Sequence, residues 1–172
     1  MTSPEVIAAT QVPALGGCGT EPLLSTPDET GSRFRAVEEA RRWVGVPFVM
    51  NGMTWDGPGR GGIDCSRLAL AAYRAAGFDL PTNFPHFRAD WGLHANEERL
   101  LAILERYLRY VAAPAMGDLA VFRLGRAFSH CALVVRWPQV IHVLSGKTCE
   151  YADASKTPLA RLETRFMSPW RR

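Results

Sequence analysis

Residues 61–77 read GGIDCSRLALAAYRAAG and place Cys65 at the start of a predicted helix. Asp64 is a residue type that caps helix N-termini, and Gly77 is typical of a helix end. Between them the apolar residues recur at helical spacing, namely Leu68, Ala69, Ala72, Tyr73 and Ala76. Because the unpaired N–H groups and the positive dipole end of a helix favour a thiolate, this stretch predicts a nucleophilic cysteine in the first helical turn.

The segment before this helix is rich in glycine. Residues 45–63 hold six glycines and two prolines, a density that prevents regular structure and lets the backbone approach a ligand closely. The segment lacks the Gly-Lys-Ser/Thr ending of a phosphate-binding loop, so it gives no indication of a nucleotide site. Its aromatic part, residues 48–55, is predicted to form either a binding lip or a lid over the core.

Helical patterns come first in the chain and strand patterns follow. One helix is predicted to start at Ser32 and end at Gly45, with Phe34, Val37, Ala40 and Val44 on its apolar face; another starts at Asn96 and carries Leu100, Leu101, Leu104, Leu108 and Val111. Strands are predicted over 118–123, 128–136, 140–145 and 148–152, while residues 159–172 show no clear pattern. This order predicts an α+β domain in which the cysteine helix lies across an antiparallel sheet.

Composition limits the number of domains and the class of partner. With 172 residues, 47% hydrophobic and 22% charged, the chain can bury one core, which we assign to residues 31–172. Residues 1–30 are rich in Pro, Gly, Ser and Thr and are predicted to form an extended arm. The net charge of +3 without a basic stripe argues against nucleic acid and suits an anionic cell-wall polymer. No apolar run reaches the roughly 18 residues of a membrane span.

The cysteines and the N-terminal residues indicate the redox compartment in which the protein is made. The four cysteines, Cys18, Cys65, Cys131 and Cys149, form no C-x-x-C pair and do not have the pattern of a disulfide framework. Residues 1–30 lack both Lys and Arg and hold no continuous apolar stretch, so a secretory signal is not expected. We therefore predict synthesis in a reducing compartment.

A candidate base lies on the strand predicted over 128–136. His130 is on this strand and His142 is on the next one. Since side chains alternate along a strand, the two histidines share a face only if the hairpin between them holds an odd-numbered turn or a bulge. Cys131 is then expected to point away from His130 into the core. With no close-spaced pair of Cys or His, neither a metal site nor a cofactor is predicted.

Six motifs over roughly residues 33–152 occur in an order that resembles a known family. They are GVPF at 45–48 with the glycine loop, DCS at 64–66, Gly77 with Leu80-Pro81, MGDLAVF at 116–122, His130 before an apolar run, and Ile141-His142. This series resembles the NlpC/P60 cysteine peptidases. The resemblance implies a papain-like fold and cleavage of cell-wall stem peptides, usually between γ-D-glutamate and the diamino acid.

The resemblance also implies roles for single residues. Cys65 would be the nucleophile, His130 the general base and His142 the residue that orients the imidazole. This is the logic of a catalytic triad built on a thiol. Asp64 and Ser66 resemble the positions that recognise the amino end of the substrate.

Two further positions of the predicted substrate-binding set depart from the family pattern. Phe48 stands where many members have a tyrosine, so that hydroxyl is expected to be absent or replaced by a neighbour such as Asn51. Arg67 replaces the glycine of the usual Asp-Cys-Ser-Gly motif and is expected to put a long cation beside the nucleophile. Both changes bear on substrate preference.

The sequence looks most like the phage-tail and gene-transfer-agent branch of this family. That resemblance implies a peptidase at the tail tip of a phage-like particle, made in the host cytoplasm and acting on bacterial peptidoglycan during entry. Other tail-tip proteins would be its partners. Two alternatives stay open: a structural tail-tip or assembly protein without hydrolytic activity, and a related thiol amidase or acyltransferase.

Overall fold

The computed structural model describes residues 28–81, 84–88 and 97–170. The helices are α1 Glu29–Arg42, α2 Cys65–Ala75, α3 Arg99–Leu104 and a 3-10 turn Pro158–Arg161. The strands are β1 Met53–Thr54, β2 Gly62–Ile63, β3 Arg109–Val111, β4 Leu119–Arg123, β5 Phe128–Arg136, β6 Gln139–His142, β7 Glu150–Asp153 and β8 Thr164–Ser168. The predicted α+β class is confirmed. The predicted arm, residues 1–30, lies almost wholly outside the described residues.

Six strands form one antiparallel sheet with the order β3-β8-β4-β5-β6-β7. The main core lies between this sheet and helices α1 and α2, and Leu68, Val121 and Leu133 belong to it. A smaller core, which includes Phe122 and Val134, covers the other face of the sheet. Helix α2 therefore lies across the sheet against β5, as predicted, and the N-terminus of α2 carries Cys65.

Helix α1 differs from its prediction in its start and in its buried face. It begins at Glu29 because the Asp28 carboxylate accepts a hydrogen bond from Gly31 N at 2.9 Å. Phe34, predicted to be buried, is 54% exposed, while Ala36 and Ala40 are fully buried. This face of α1 packs against the end of α2, where Ser32 Oγ donates to Ala76 O at 2.7 Å.

The third helix is shorter than predicted. It ends at Leu104, whereas the pattern was expected to continue to Val111. Val111 belongs instead to β3, which pairs with β8 in a register that sets Val111 opposite Phe166. The prediction was wrong because β8 lies in the tail, where the alternation is too weak to reveal a partner strand. Asn96, the predicted start of the helix, is outside the described residues.

Strands β4 to β7 follow the predicted meander closely. The main difference is that β6 ends at His142 rather than at residue 145. Residues 143–149 then lead to β7, and they also hold the glycine-rich segment in place, since Phe48 N donates to Lys147 O and Gly45 N to Cys149 O, both at 2.8 Å. This arrangement brings residues 45–48 and the end of β6 to the same side of the molecule as the start of α2.

Candidate active site

Cys65 is the first residue of α2, directly after the capping residue. The Asp64 carboxylate accepts the Arg67 N–H at 2.8 Å, which closes the first turn. Ile63, on β2, is fully buried and fixes the entry of the chain into the helix. The Cys65 thiol therefore lies at the positive end of the helix dipole, as the sequence predicted.

His130 and His142 are brought together by a bulge in the hairpin of β5 and β6. The strands change register between Val134 and Arg136, so the predicted bulge is present. Without it a two-residue turn at 137–138 would put the histidines on opposite faces. Their rings meet at a centroid distance of 5.2 Å, with His130 Nε2 3.0 Å from His142 Nδ1.

The contact between the two histidines links the tautomer of one ring to that of the other. If His130 is to receive a proton from Cys65 at Nδ1, its Nε2 must carry a hydrogen and donate to His142 Nδ1. Burial, the nearby His130 and Lys147 lower the pKa of His142 to about 4, so His142 stays neutral and able to accept at neutral pH. On the other side, the Phe122 ring stacks on the His130 ring at a centroid distance of 5.9 Å.

Cys131 contacts the candidate nucleophile, a contact that no sequence pattern indicates. It is fully buried in the core on the α2 side of β5, as predicted, yet its thiol donates to Cys65 O at 3.3 Å. The contact with the Cys131 side chain and the His130 imidazole lower the pKa of Cys65 well below its usual value, against the effect of burial. The same contact and burial raise the pKa of Cys131.

Cys65 and His130 open onto a cleft of about 250 Å³. Its apolar wall consists of Phe48, Met50, Phe87, Leu100, Leu124, Val143 and Leu144, and its other polar lining residues are Asp64, Ser66, Ser129 and Ser145. Three of the four predicted substrate-binding residues, Phe48, Asp64 and Ser66, therefore line the cleft. His142 lies behind His130 and does not reach the cleft.

Arg67 is the predicted binding residue that the structure does not bring to the cleft. Its side chain is 5% exposed and lies beside Asp64 at 3.4 Å rather than free beside Cys65. The guanidinium also donates to Phe84 O at 3.2 Å and to Pro85 O at 3.0 Å. The physical reason is that a buried cation is stable only with a counter-ion and satisfied N–H groups, and Asp64 with this segment supplies both.

Asn51 does not replace the missing tyrosine hydroxyl. The Asn51 side-chain amide makes two hydrogen bonds to the backbone of Phe87. Its Oδ1 accepts from Phe87 N and its Nδ2 donates to Phe87 O, both at 2.8 Å. Its backbone N–H donates to Asp64 Oδ2 at 2.7 Å. Asn51 and Arg67 thus hold residues 84–88 against the start of α2, and this segment supplies Phe87 to the cleft wall.

We predict that Arg67→Ala destabilises the fold because it leaves the Asp64 carboxylate buried without its cation. The expected fall in the free energy of unfolding is about 3–5 kcal/mol. Arg74→Ala, on the exposed side of the same helix, is the matched control and should change the free energy of unfolding by no more than about 0.5 kcal/mol. Denaturant unfolding measures both variants, and equal small losses would show that the Arg67 ion pair is not stabilising.

Within 28–81, 84–88 and 97–170, no group of three or more His, Cys, Asp or Glu side chains is placed to hold a metal ion. None of the helices in the same ranges is long and apolar enough to cross a membrane. Three cysteines lie in these ranges, Cys65, Cys131 and Cys149, and each is a free thiol.

The chain is similar to several solved structures. It resembles a P60 domain of an antigen from M. avium paratuberculosis, with 22% identity, a TM-score of 0.54, and coverage of 81% of this chain and 93% of that one. It also resembles the peptidoglycan hydrolase RipB from Mycobacterium tuberculosis, with 18% identity, a TM-score of 0.57, and coverage of 91% and 73%. At these identities the likeness shows the fold.

A third similar structure is that of a non-catalytic protein. RipD from Mycobacterium tuberculosis, described as a non-catalytic NlpC/P60 domain protein adapted to peptidoglycan binding, shares 19% identity with a TM-score of 0.50 and coverage of 80% and 96%. No curated protein matches the chain. The model of the NlpC/P60 family, however, matches residues 45–167, well over half of the sequence. The chain therefore belongs to the NlpC/P60 family.

Proposed function

We propose that this chain is a cysteine peptidase that cleaves an amide bond in the stem peptides of bacterial peptidoglycan, between γ-D-glutamate and the diamino acid. The observation that carries the proposal is that Cys65 and His130 line one cleft with His142 behind His130, and that the pKa of Cys65 is lowered by its neighbours. A protein that only binds its ligand has no need of an activated thiol beside a base.

The reaction follows from this arrangement. The Cys65 thiolate attacks the carbonyl carbon, and the oxyanion is stabilised by the Cys65 backbone N–H at the helix start. Protonated His130 donates its proton to the leaving amine, which leaves an acyl group on the sulfur as a thioester. His130 then takes a proton from water, and the resulting hydroxide equivalent releases the acid and regenerates Cys65. His142 keeps the imidazole in the required orientation throughout.

The cellular setting is a separate part of the proposal. The sequence resemblance to phage-tail and gene-transfer-agent members supports a place at the tail tip of a phage-like particle, with the chain in the host cytoplasm before assembly. Partners there would be other tail-tip proteins, and residues 1–30 are the candidate docking arm. The expected role is to open the wall locally during entry.

A second candidate is a tail-tip component that binds the wall without cutting it. Phe48 favours this reading because the cleft then lacks a tyrosine hydroxyl, and Asn51 does not supply a substitute. A thiol amidase or acyltransferase is the third reading, since the same acyl-enzyme can form at a different amide or pass to another acceptor.

Digestion of purified peptidoglycan by the full chain separates these readings. Mass spectrometry of the soluble products should show one new amine and one new carboxylate within the stem peptide, with walls containing diaminopimelate or lysine compared in parallel. Release of whole stem peptides from the glycan would identify an amidase, and products joined to an added amine would identify an acyltransferase. If the protein sediments with the wall but no new amine or carboxylate appears in the stem peptides, the result would support wall binding alone and contradict the peptidase.

A further inference from the structure

One ring nitrogen of His142, Nε2, has no role in the predicted triad of Cys65, His130 and His142. The ring is 2% exposed, and its Nδ1 faces His130. Its Nε2 is buried and has no hydrogen-bond partner. An unpaired buried N–H is costly, so this nitrogen calls for an explanation.

The group nearest to this nitrogen is a carboxylate on the neighbouring strand. β6 and β7 pair with His142 opposite Glu150, and Glu150 Oε1 lies 3.8 Å from His142 Nε2. At that distance the carboxylate interacts electrostatically with the His142 ring, but the two atoms are too far apart for a hydrogen bond. The Glu150 side chain is 41% exposed, so it has room to rotate and close the gap.

The tautomer of His142 decides whether His130 can act as a base. With the proton on His142 Nε2, Nδ1 accepts the Nε2–H of His130, and His130 Nδ1 is left free to take the Cys65 proton. With the proton on His142 Nδ1, the bond reverses, His130 carries its hydrogen on Nδ1, and it can no longer receive a proton there. A group that accepts from His142 Nε2 selects the first state.

We propose that Glu150 is a positioning residue whose carboxylate accepts a hydrogen bond from the Nε2–H of His142. This bond fixes the tautomer of His142 that allows His130 to serve as base. The charged or titratable groups facing His142 are His130 on β5, Cys65 on α2, Lys147 before β7 and Glu150 itself. Of these, Glu150 is the acceptor on the Nε2 side. The proposal rests on the proposed function for its kinetic consequence, whereas the tautomer is a property of the folded protein alone.

Lys147 allows the effect of Glu150 on His142 to be separated from an ordinary ion pair, because Lys147 and His142 face the same Glu150 oxygen. Its Nζ lies 3.4 Å from Glu150 Oε1. If Glu150 served only as the partner of this exposed lysine, Lys147→Met would have the same effect as Glu150→Ala. If Glu150 acts on His142, Lys147→Met frees the carboxylate, and the histidine keeps its tautomer.

The test combines ¹⁵N NMR of the histidine ring nitrogens with kinetics on stem peptides. Wild type, Glu150→Gln and Lys147→Met should hold His142 as the Nε2–H tautomer, because an acceptor oxygen remains in each. Glu150→Ala should show a mixture of His142 tautomers and a kcat lower by about tenfold at unchanged KM. This size of loss is at the lower end of the range observed when the hydrogen-bond partner of a functional histidine is removed at metal sites. Glu163→Ala, which removes a similarly exposed ion-paired glutamate elsewhere, is the control and should match wild type.

The outcomes are separable. A pure Nε2–H tautomer with wild-type kcat in Glu150→Ala would overturn the proposal, and so would a Glu150→Gln variant that behaves like Glu150→Ala. If the wild-type protein cuts no stem peptide but Glu150→Ala still shifts the tautomer, the proposed function fails while the role of Glu150 in ordering the two histidines stands.

Discussion

Cys65→Ala is expected to abolish stem-peptide release from purified peptidoglycan, with a loss of about 10⁴-fold or more, because it removes the thiol that forms the acyl intermediate. The substitution removes one sulfur at a helix start, so the free energy of unfolding should change by no more than about 1–2 kcal/mol. Mass spectrometry of released fragments and denaturant unfolding measure the two effects. Cys149→Ala, which removes a buried thiol that does not line the cleft, is the matched control and should keep wild-type cleavage.

The same variant separates enzyme from scaffold in the particle. If the peptidase reading holds, particles carrying Cys65→Ala form in normal numbers and are impaired in crossing an intact wall. If the scaffold hypothesis holds, the variant behaves as wild type, whereas deletion of residues 1–27, which leaves the Asp28 cap of α1 in place, blocks assembly. Normal entry together with unchanged wall digestion by Cys65→Ala would contradict the peptidase.

Replacing His130 should have the second-largest effect. His130→Ala is expected to lower kcat by about 10²–10⁴-fold because the leaving amine loses its acid and Cys65 loses its base. His142→Ala should also lose turnover, while His142→Asn should retain part of it, because the amide oxygen can still accept the Nε2–H of His130. Steady-state kinetics on one stem peptide measure all three, and wild-type kcat in His142→Ala would remove that residue from the site.

The sequence predicted those parts of the fold that follow from local signals. The cap at Asp64, the apolar face of α2 and the alternation along β4 to β7 each depend on residues close in sequence, and the structure confirms them. Alternation also showed that the two histidines required a bulge or an odd turn. Only the structure locates the bulge, between Val134 and Arg136.

The features that were missed depend on distant partners. Phe34 was placed on the buried face because helical spacing alone does not reveal that α1 turns Ala36 and Ala40, rather than Phe34, toward the core. Val111 pairs with a strand more than 50 residues later, so its local pattern is compatible with a helix. The burial of Arg67 depends on residues 84–88, and nothing in the Asp-Cys-Ser-Arg motif indicates that the side chain turns away from the cleft.

The predicted contact between Cys65 and its base is the central feature of the site, and the pH dependence of Cys65 alkylation tests it most directly. Iodoacetamide labelling of the folded chain, followed by peptide mapping, should modify Cys65 rapidly at neutral and mildly acidic pH, because its thiolate is stabilised below the usual thiol range. Cys149 should stay unlabelled, since burial raises its pKa to about 12. In His130→Ala the labelling profile of Cys65 should move to higher pH. A wild-type Cys65 that titrates as an ordinary thiol, near pH 8.5, or that labels after Cys149, would contradict an activated nucleophile.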